Sequence, residues 1–249
     1  MNQNNPSSAA AEKDVSIILP TYNEAGNILT LVDRIEAAVP EGWRYRIVVV
    51  DDSSPDGTYD IVRKRAERDP NVRAILRTED RGFAKSIRHG IEQADSPRII
   101  VMDSDLTHDP LEIPRLLHVG EVYDIVSGSR FCAGGRMVDL YHYFASMLFN
   151  WSLRLLIGTQ VQDNLGGYFT ARRDVILKLP VDDIFYGYGE YYFRLLHFAQ
   201  HAGHSIVEIP SSYLLRGTGK SKSNWFRMIR TYSVAAIKLR ILIWRLNRT

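Results

Sequence analysis

The sequence predicts an α/β open sheet, mostly parallel, followed by a basic amphipathic helix at the C-terminus. Two patterns carry that prediction. Short apolar runs of strand length alternate with segments of helical spacing, and acidic or polar clusters follow three of those runs directly. Strands separated by helices pair in parallel through right-handed crossovers, which brings their carboxyl ends to one edge of the sheet.

Taken in order, residues 15–20 (VSIILP) read as the first strand, and residues 24–39 carry Ile28, Leu31, Val32 and Ile35 at helical spacing. Residues 45–50 (YRIVVV) form a second strand, closed by Asp51-Asp52 and the turn-rich Ser53-Ser54-Pro55-Asp56-Gly57. A charged helical stretch runs to Asp69, and 72–76 is a third strand. Residues 83–94 read as a helix, and 98–102 as a fourth strand running into Asp103. Beyond it, 123–128, 166–172 and 204–209 are strand candidates, while 140–156 (aromatic-rich) and 184–202 are helical. Residues 217–224 form a loop of Gly, Lys and Ser before a last helical segment. With no internal repeat or low-complexity linker, the chain divides into a disordered tail (1–13), one domain (14–223) and the terminal helix (224–249).

At 249 residues and 45% hydrophobic content the chain can bury a full core, and a net charge of +2 argues against nucleic acid as a partner. The charge is uneven: from Arg216 onward there are nine Lys or Arg and no Asp or Glu. The single Cys132 excludes an intrachain disulfide and a multi-cysteine metal site, and fits a reducing compartment. Residues 1–13 lack the basic and apolar regions of a secretory signal. No run of about 18 apolar residues occurs, since 141–158 and 234–244 are interrupted by Arg154, and by Lys238 and Arg240. The expected location is therefore cytoplasmic.

Polar groups stand after three predicted strands: Pro20-Thr-Tyr-Asn-Glu24, Asp51-Asp52 and Asp103-Ser104-Asp105. One such carboxylate is an ordinary helix cap; three clusters suggest one cleft that needs negative charge. Asp103 and Asp105 are the sharpest pair. Alternation turns residues i and i+2 to the same side, so both can face one hard divalent cation that also takes substrate phosphate. Gly217-Thr-Gly-Lys-Ser-Lys222 lacks the spacing of a P-loop and reads as a basic lid or as an exposed solubilising loop.

Three longer runs widen the pattern: Ile18-Leu-Pro-Thr-Tyr-Asn-Glu24, Val48-Val-Val-Asp-Asp-Ser-Ser-Pro-Asp-Gly-Thr58 and Met102-Asp-Ser-Asp-Leu-Thr-His-Asp-Pro110. With Ser129-Arg130-Phe131, Gly134-Gly135, Gly166-Gly167-Tyr168, Arg216 and Gly219-x-Ser221-Lys222, their order and spacing resemble family 2 glycosyltransferases, most of all the dolichol-phosphate (polyprenyl-phosphate) mannosyltransferase branch. The likeness covers residues 14–222. It implies a GT-A fold, a Rossmann-like sheet that binds a nucleotide sugar. It also implies roles. Pro20, Tyr22, Glu24, Val50 and Asp52 would surround the nucleoside, and Asp103, Ser104 and Asp105 would hold the diphosphate and a Mg²⁺ or Mn²⁺ ion. Thr107 stands where the family often has Gln or Ser, as a weaker third ligand. Arg130, Arg173, Arg216 and Lys222 would bind phosphate through charge-assisted hydrogen bonds.

The resemblance further implies a hexose, mannose from GDP-mannose, passing to a lipid phosphate. A phosphate acceptor needs no general base, being largely dianionic near neutral pH. Glu190, 87 residues after Asp103, sits where relatives with hydroxyl acceptors carry a catalytic acid, so a hydroxyl acceptor stays open, as does an ordinary acid at a helix start. His142 departs from the Arg common in the branch. A non-catalytic nucleotide-sugar-binding subunit that recruits a partner is the third alternative.

A membrane surface is favoured by the terminal helix. At 100° per residue, Arg227, Arg230, Lys238, Arg245 and Arg248 fall within an arc of about 80°. Trp225, Met228, Ile229, Tyr232, Ala236, Leu239, Leu242, Ile243 and Leu246 fill the broad opposite side. That is the pattern of an interfacial anchor, or of a helix packed on the domain or on a membrane-embedded partner protein. The aromatic helix 140–156 reads either as a second interfacial element or as a core helix under the sheet.

Overall fold

The computed structural model describes residues 13–217 and 225–246. The predicted tail, the Gly-Lys-Ser loop with Lys222, and Arg248 lie outside the described residues.

The elements follow in the order β1 (Asp14–Thr21), α1 (Ile28–Ala38), β2 (Arg44–Asp51), α2 (Thr58–Ala66), β3 (Val72–Leu76), α3 (Phe83–Gln93), β4 (Arg98–Val101), α4 (Ile113–Gly120) and β5 (Ile125–Ser129). Then come β6 (Arg136–Met137), α5 (Leu140–Ile157), β7 (Phe169–Arg172), α6 (Arg173–Lys178), α7 (Val181–Ile184), α8 (Tyr191–His201), β8 (Ile206–Pro210), β9 (Ser212–Tyr213) and α9 (Trp225–Leu246). Seven strands form one sheet in the order β3-β2-β1-β4-β7-β5-β8, and β6 pairs with β9 in a second, two-stranded sheet.

In the large sheet β7 alone runs antiparallel, inserted between β4 and β5. The mostly parallel, helix-flanked prediction holds. The register sets Thr21 beside Asp51 and Val101 beside Ile18, so the carboxyl ends of β1, β2 and β4 meet at one edge.

Strand alternation divides the core. Ile17, Leu19, Ile47, Val49 and Ile100 pack under α1, α2 and α4. Ile18, Val48, Val50, Ile99 and Val101 pack under α3 and α8. Each such side chain, fully withdrawn from water, contributes about 1.5–3 kcal/mol. Gly90 lets α3 approach closely: a Cβ there would stand 2.4 Å from Ile18 and 3.1 Å from Val50.

The structure departs from the sequence reading in four places. The predicted helix 184–202 is shortened to α8: α7 ends at Ile184, and residues 185–190 form a loop holding Gly187 at φ 78°. Helix α4, with Pro114 in its first turn, falls in a stretch given no element. Helix α5 does not lie under the sheet. It joins α8 and α9 in a separate cluster of Leu153, Ile157, Phe193, Tyr232, Ala236, Leu239 and Ile243. So the apolar side of α9 read as an anchor is largely buried within the protein, and a different set is exposed: Val234, Ile237, Ile241 and Trp244.

Candidate active site

A cleft of about 790 Å³ opens at the carboxyl edge of the sheet, where Pro20, Tyr22, Glu24, Asp52, Asp103, Ser104, Asp105, Glu190 and Arg216 converge. Parallel strands put ligand sites at this edge because loops and helix starts meet there.

The Asp103–Asp105 turn is tightly built. Leu106 adopts φ 68°, in the left-handed region that a branched side chain seldom enters. Thr107 holds it there, donating to Asp105 Oδ1 from both its amide (3.1 Å) and its hydroxyl (2.5 Å). Buried His108 accepts the Asp103 amide on Nδ1 at 3.0 Å and stacks on Tyr168 with centroids 4.8 Å apart. Burial pushes its imidazole down to about 4, so it is neutral near pH 7. Ser104 donates to the Pro20 carbonyl at 2.9 Å, tying this turn to the end of β1.

Withdrawal from solvent, and then the charge of Asp105, push Asp103 up to about 8. Without a bound cation Asp103 is therefore largely protonated near pH 7. Two recessed carboxylates, all oxygen donors, fit a Mg²⁺ or Mn²⁺ ion that draws its other ligands from phosphate and water. Among the described residues no group of three or more His, Cys, Asp or Glu could hold an ion by itself. Arg216 stands over the pair: it donates to Glu24 Oε1, and its Nη1 lies 3.4 Å from Asp105 Oδ2.

At the other end of the cleft Asp52 is fixed by Arg77 (2.6 Å to Oδ1) and by the Gly82 amide (2.7 Å to Oδ2). Arg77 also reaches Ser86 at 3.0 Å. Arg81 and Phe83 line the cleft here. The sequence reading missed this contribution from the β3–α3 connection, although the strand-end rule that found Asp52 applies equally to residues after Leu76.

A second cavity of about 330 Å³ extends from Asp103 toward α5 and α9, lined by Arg130, His142, Phe149, Tyr188, Tyr191, Tyr213 and Tyr232 among others. Burial, then Asp103, raises the Tyr188 and Tyr213 phenols to about 12, so both stay protonated. Glu190 is buried at the start of α8 and accepts the Tyr188 amide at 3.0 Å. The Asp139 carboxylate accepts the His142 amide at 3.0 Å and pairs with its Nδ1 at 2.7 Å.

Four of the expected site residues have partners or positions of their own in the structure. Arg173 sits at the opposite edge of the sheet, where its guanidinium caps α3 through the carbonyls of Ile91 and Glu92, both at 2.8 Å. The Val50 side chain is wholly buried beneath α3. Thr107 is buried and donates its hydroxyl to Asp105 Oδ1. Arg130 does reach the second cavity, but Asp163 holds it through Nε at 2.8 Å and Nη2 at 2.7 Å.

The family model described as Glycosyl transferase family 2 matches residues 16–179. The chain belongs to glycosyl transferase family 2. Among its relatives in that family, the undecaprenyl-phosphate mannosyltransferase of Micrococcus luteus is 34% identical over 84% of this chain and 86% of its own length. The polyprenol monophosphomannose synthase of Mycolicibacterium smegmatis is 31% identical, over 87% and 83%. The dolichol-phosphate mannosyltransferase of Pyrococcus furiosus is also 31% identical, over 84% of this chain, which spans 58% of that protein. Among solved structures, glucosyl-3-phosphoglycerate synthase of Mycobacterium tuberculosis in complex with Mn²⁺, uridine diphosphate and glucosyl-3-phosphoglycerate superposes with a TM-score of 0.66. At 19% identity, over 92% of this chain and 80% of that one, it shows the shared GT-A fold of this family 2 glycosyltransferase.

Proposed function

We propose that this glycosyltransferase moves mannose from GDP-mannose onto a polyprenyl or dolichyl phosphate at the inner face of a membrane, with inversion at the anomeric carbon. The observation that carries the reading is the joining of two unlike cavities at Asp103: a carboxylate-floored cleft for a nucleoside diphosphate, and an aromatic cavity running toward α5 and α9. The names of the M. luteus and M. smegmatis relatives support the lipid acceptor.

In this reading Asp103 and Asp105 would hold a divalent ion, and the chemistry it would supply is neutralisation of charge on the departing diphosphate. Asp52 accepts hydrogen bonds from the base, and Arg216 donates to the diphosphate. Arg130 and His142 orient the acceptor phosphate, whose oxygen attacks the anomeric carbon opposite the leaving group. The new phosphate–sugar bond forms as the sugar–diphosphate bond breaks, and the single displacement inverts configuration.

The membrane-facing surface in this proposal is the exposed apolar set on α5 (Phe144, Leu148, Trp151 and Leu155) and on α9 (Ile237, Ile241 and Trp244), flanked by Arg230, Lys238 and Arg245. No helix of the described residues is long and apolar enough to cross a membrane. A second reading, glycosylation of a hydroxyl on a glycan or lipid-linked oligosaccharide, is favoured by Glu190, a buried carboxylate lining the cleft in reach of a base role.

The test is a panel of nucleotide sugars offered with Mn²⁺ and vesicles containing polyprenyl phosphate, scored by the nucleoside diphosphate released. Release of GDP from GDP-mannose, dependent on the lipid phosphate, is expected. Release only with a hydroxyl acceptor would move the assignment to the second reading. Flotation with anionic vesicles checks the surface: a Trp151→Ser, Trp244→Ser protein that still floats like the parent would exclude it.

A further inference from the structure

Three carboxylates from two separate strand ends, Glu24, Asp103 and Asp105, surround one guanidinium. Arg216 donates to Glu24 Oε1 and lies 3.4 Å from Asp105 Oδ2. The main chain of Arg216 is tied to the turn that carries the aspartates. Leu214 donates to the Thr107 carbonyl at 2.8 Å, and Gly217 donates to the Asp105 carbonyl at 3.1 Å. Glu112 accepts the Ser212 amide at 2.8 Å, which anchors the start of the same strap. The strap is also closely packed: a Cβ on Gly217 would stand 2.5 Å from Leu106 and 2.8 Å from Asn27 Oδ1. The backbone is thus fixed over the turn, and the side chain remains the adjustable part.

We propose that Arg216 is an internal counter-cation that occupies the aspartate pair until donor arrives, and thereby couples divalent-ion binding to nucleotide binding. The argument rests on the metal-dependent donor reading above. Without nucleotide, the ion must displace a fixed positive charge from Asp105, so it binds weakly. A diphosphate offers the guanidinium two anionic oxygens, a better bidentate partner than carboxylates shared with an incoming dication. Arg216 then turns from carboxylate to phosphate, and the ion takes the vacated charge. By linkage the effect is reciprocal: nucleotide tightens the ion by the same factor as the ion tightens nucleotide. The device disfavours an ion-loaded site with no donor, as well as donor bound without its ion.

The experiment measures Mn²⁺ binding to the full chain by the loss of its free-ion paramagnetic resonance signal, without nucleotide and with saturating GDP. Variants are Arg216→Gln, which removes the charge at similar size; Arg216→Lys, which keeps it; and Arg81→Gln, which removes another cation lining the same cleft. Without nucleotide, R216Q should bind Mn²⁺ at least about tenfold tighter than the parent. R216K and R81Q should stay within about threefold. The tightening produced by GDP should be smaller in R216Q by about the same tenfold. Melting curves confirm that each variant is folded, and R216K keeps the comparison valid if R216Q is not, since a tenfold gain from the lysine alone would refute the charge argument. If R216Q binds Mn²⁺ no better than the parent, while the parent binds it with GDP, the counter-cation role is wrong and the donor reading survives. If the parent takes up no Mn²⁺ even with GDP, the metal-dependent reading itself fails, and this inference with it.

Discussion

The ion pair between Arg130 and Asp163 offers the sharpest test of how the second cavity is held. Asp163 is fully buried and accepts three hydrogen bonds from Arg130: Nε at 2.8 Å, Nη2 at 2.7 Å and the backbone amide at 3.0 Å. Glu208 in turn accepts the amides of Gln162 (2.7 Å) and Asp163 (2.9 Å), which fixes the loop before β7. Replacing Asp163 by Asn keeps an acceptor for the amide but leaves a guanidinium buried without its counter-charge. Removing one partner of such a pair costs about 3–5 kcal/mol. For a domain of this size, about 2–4 °C of melting temperature corresponds to each kcal/mol, so a fall of about 6–20 °C is expected. The combined Arg130→Met, Asp163→Asn protein no longer buries an unpaired charge, and should melt above the sum of the two single losses by a coupling of about 2 kcal/mol or more. The assay is a calorimetric double-mutant cycle. An Asp163→Asn protein melting within about 2 °C of the parent, or a coupling under about 0.5 kcal/mol, would mean that the guanidinium is not committed to Asp163.

Three further outcomes follow from the site. Asp105→Asn should lower turnover about 10²–10³-fold in steady-state assays, the cost of removing one well-placed electrostatic group; undiminished turnover would end the transferase reading of the turn. Glu190→Gln should change kcat less than about threefold with a lipid phosphate acceptor, since no base is required; a loss of about 10²-fold would assign a hydroxyl acceptor. For pH, His197 is pushed down to about 4 by burial and then by His201, its Nδ1 lying 3.0 Å from the Ile157 carbonyl. The unfolded chain therefore takes up the proton first as pH falls, and stability is lost between about 6.5 and about 4. His197→Gln should reduce the loss of melting temperature on acidification in that window, where His108 acts in the same sense and Asp103, pushed up, in the opposite one. An unchanged slope would show that His197 does not contribute.

Most strands of the sheet were legible because each buries a continuous apolar run and ends at a polar cluster. Residues 15–20, 45–50 and 98–102 fall inside or within a residue of β1, β2 and β4. What was not legible depended on partners distant in sequence. The direction of β7 follows from lying between β4 and β5, which four residues cannot encode. The loop before α8 holds Gly187 at φ 78°, where the sequence pattern carries the helix back to residue 184. On α9 the helical wheel set Tyr232, Ala236, Leu239 and Ile243 on a side that the structure buries, but Val234 and Ile241 fall inside the arc of its basic residues and stay exposed. Tyr232, Ala236 and Leu239 are covered, and Ile237 and Ile241 are not.

The same distinction separates the two halves of the site. The donor half is made of strand ends, so its residues are contiguous in sequence and come with their turns: Asp105 with Thr107, and Asp51 with Ser54, which donates to it at 2.8 Å from its amide. A motif can therefore report this half directly. The acceptor half is assembled from β5, α5, α8 and α9, and its constraints are steric contacts between them. Gly189 shows the kind of constraint involved: a Cβ there would stand 2.2 Å from the Tyr232 hydroxyl, so the segment presenting Glu190 is packed directly against α9. The residue preceding Glu190 thus touches a helix some forty positions further along the chain. Spacing alone carries no trace of such a contact, which is why Asp103 and Asp105 could be named from sequence with a chemical role, whereas the ion pair that holds Arg130 to Asp163 could not be.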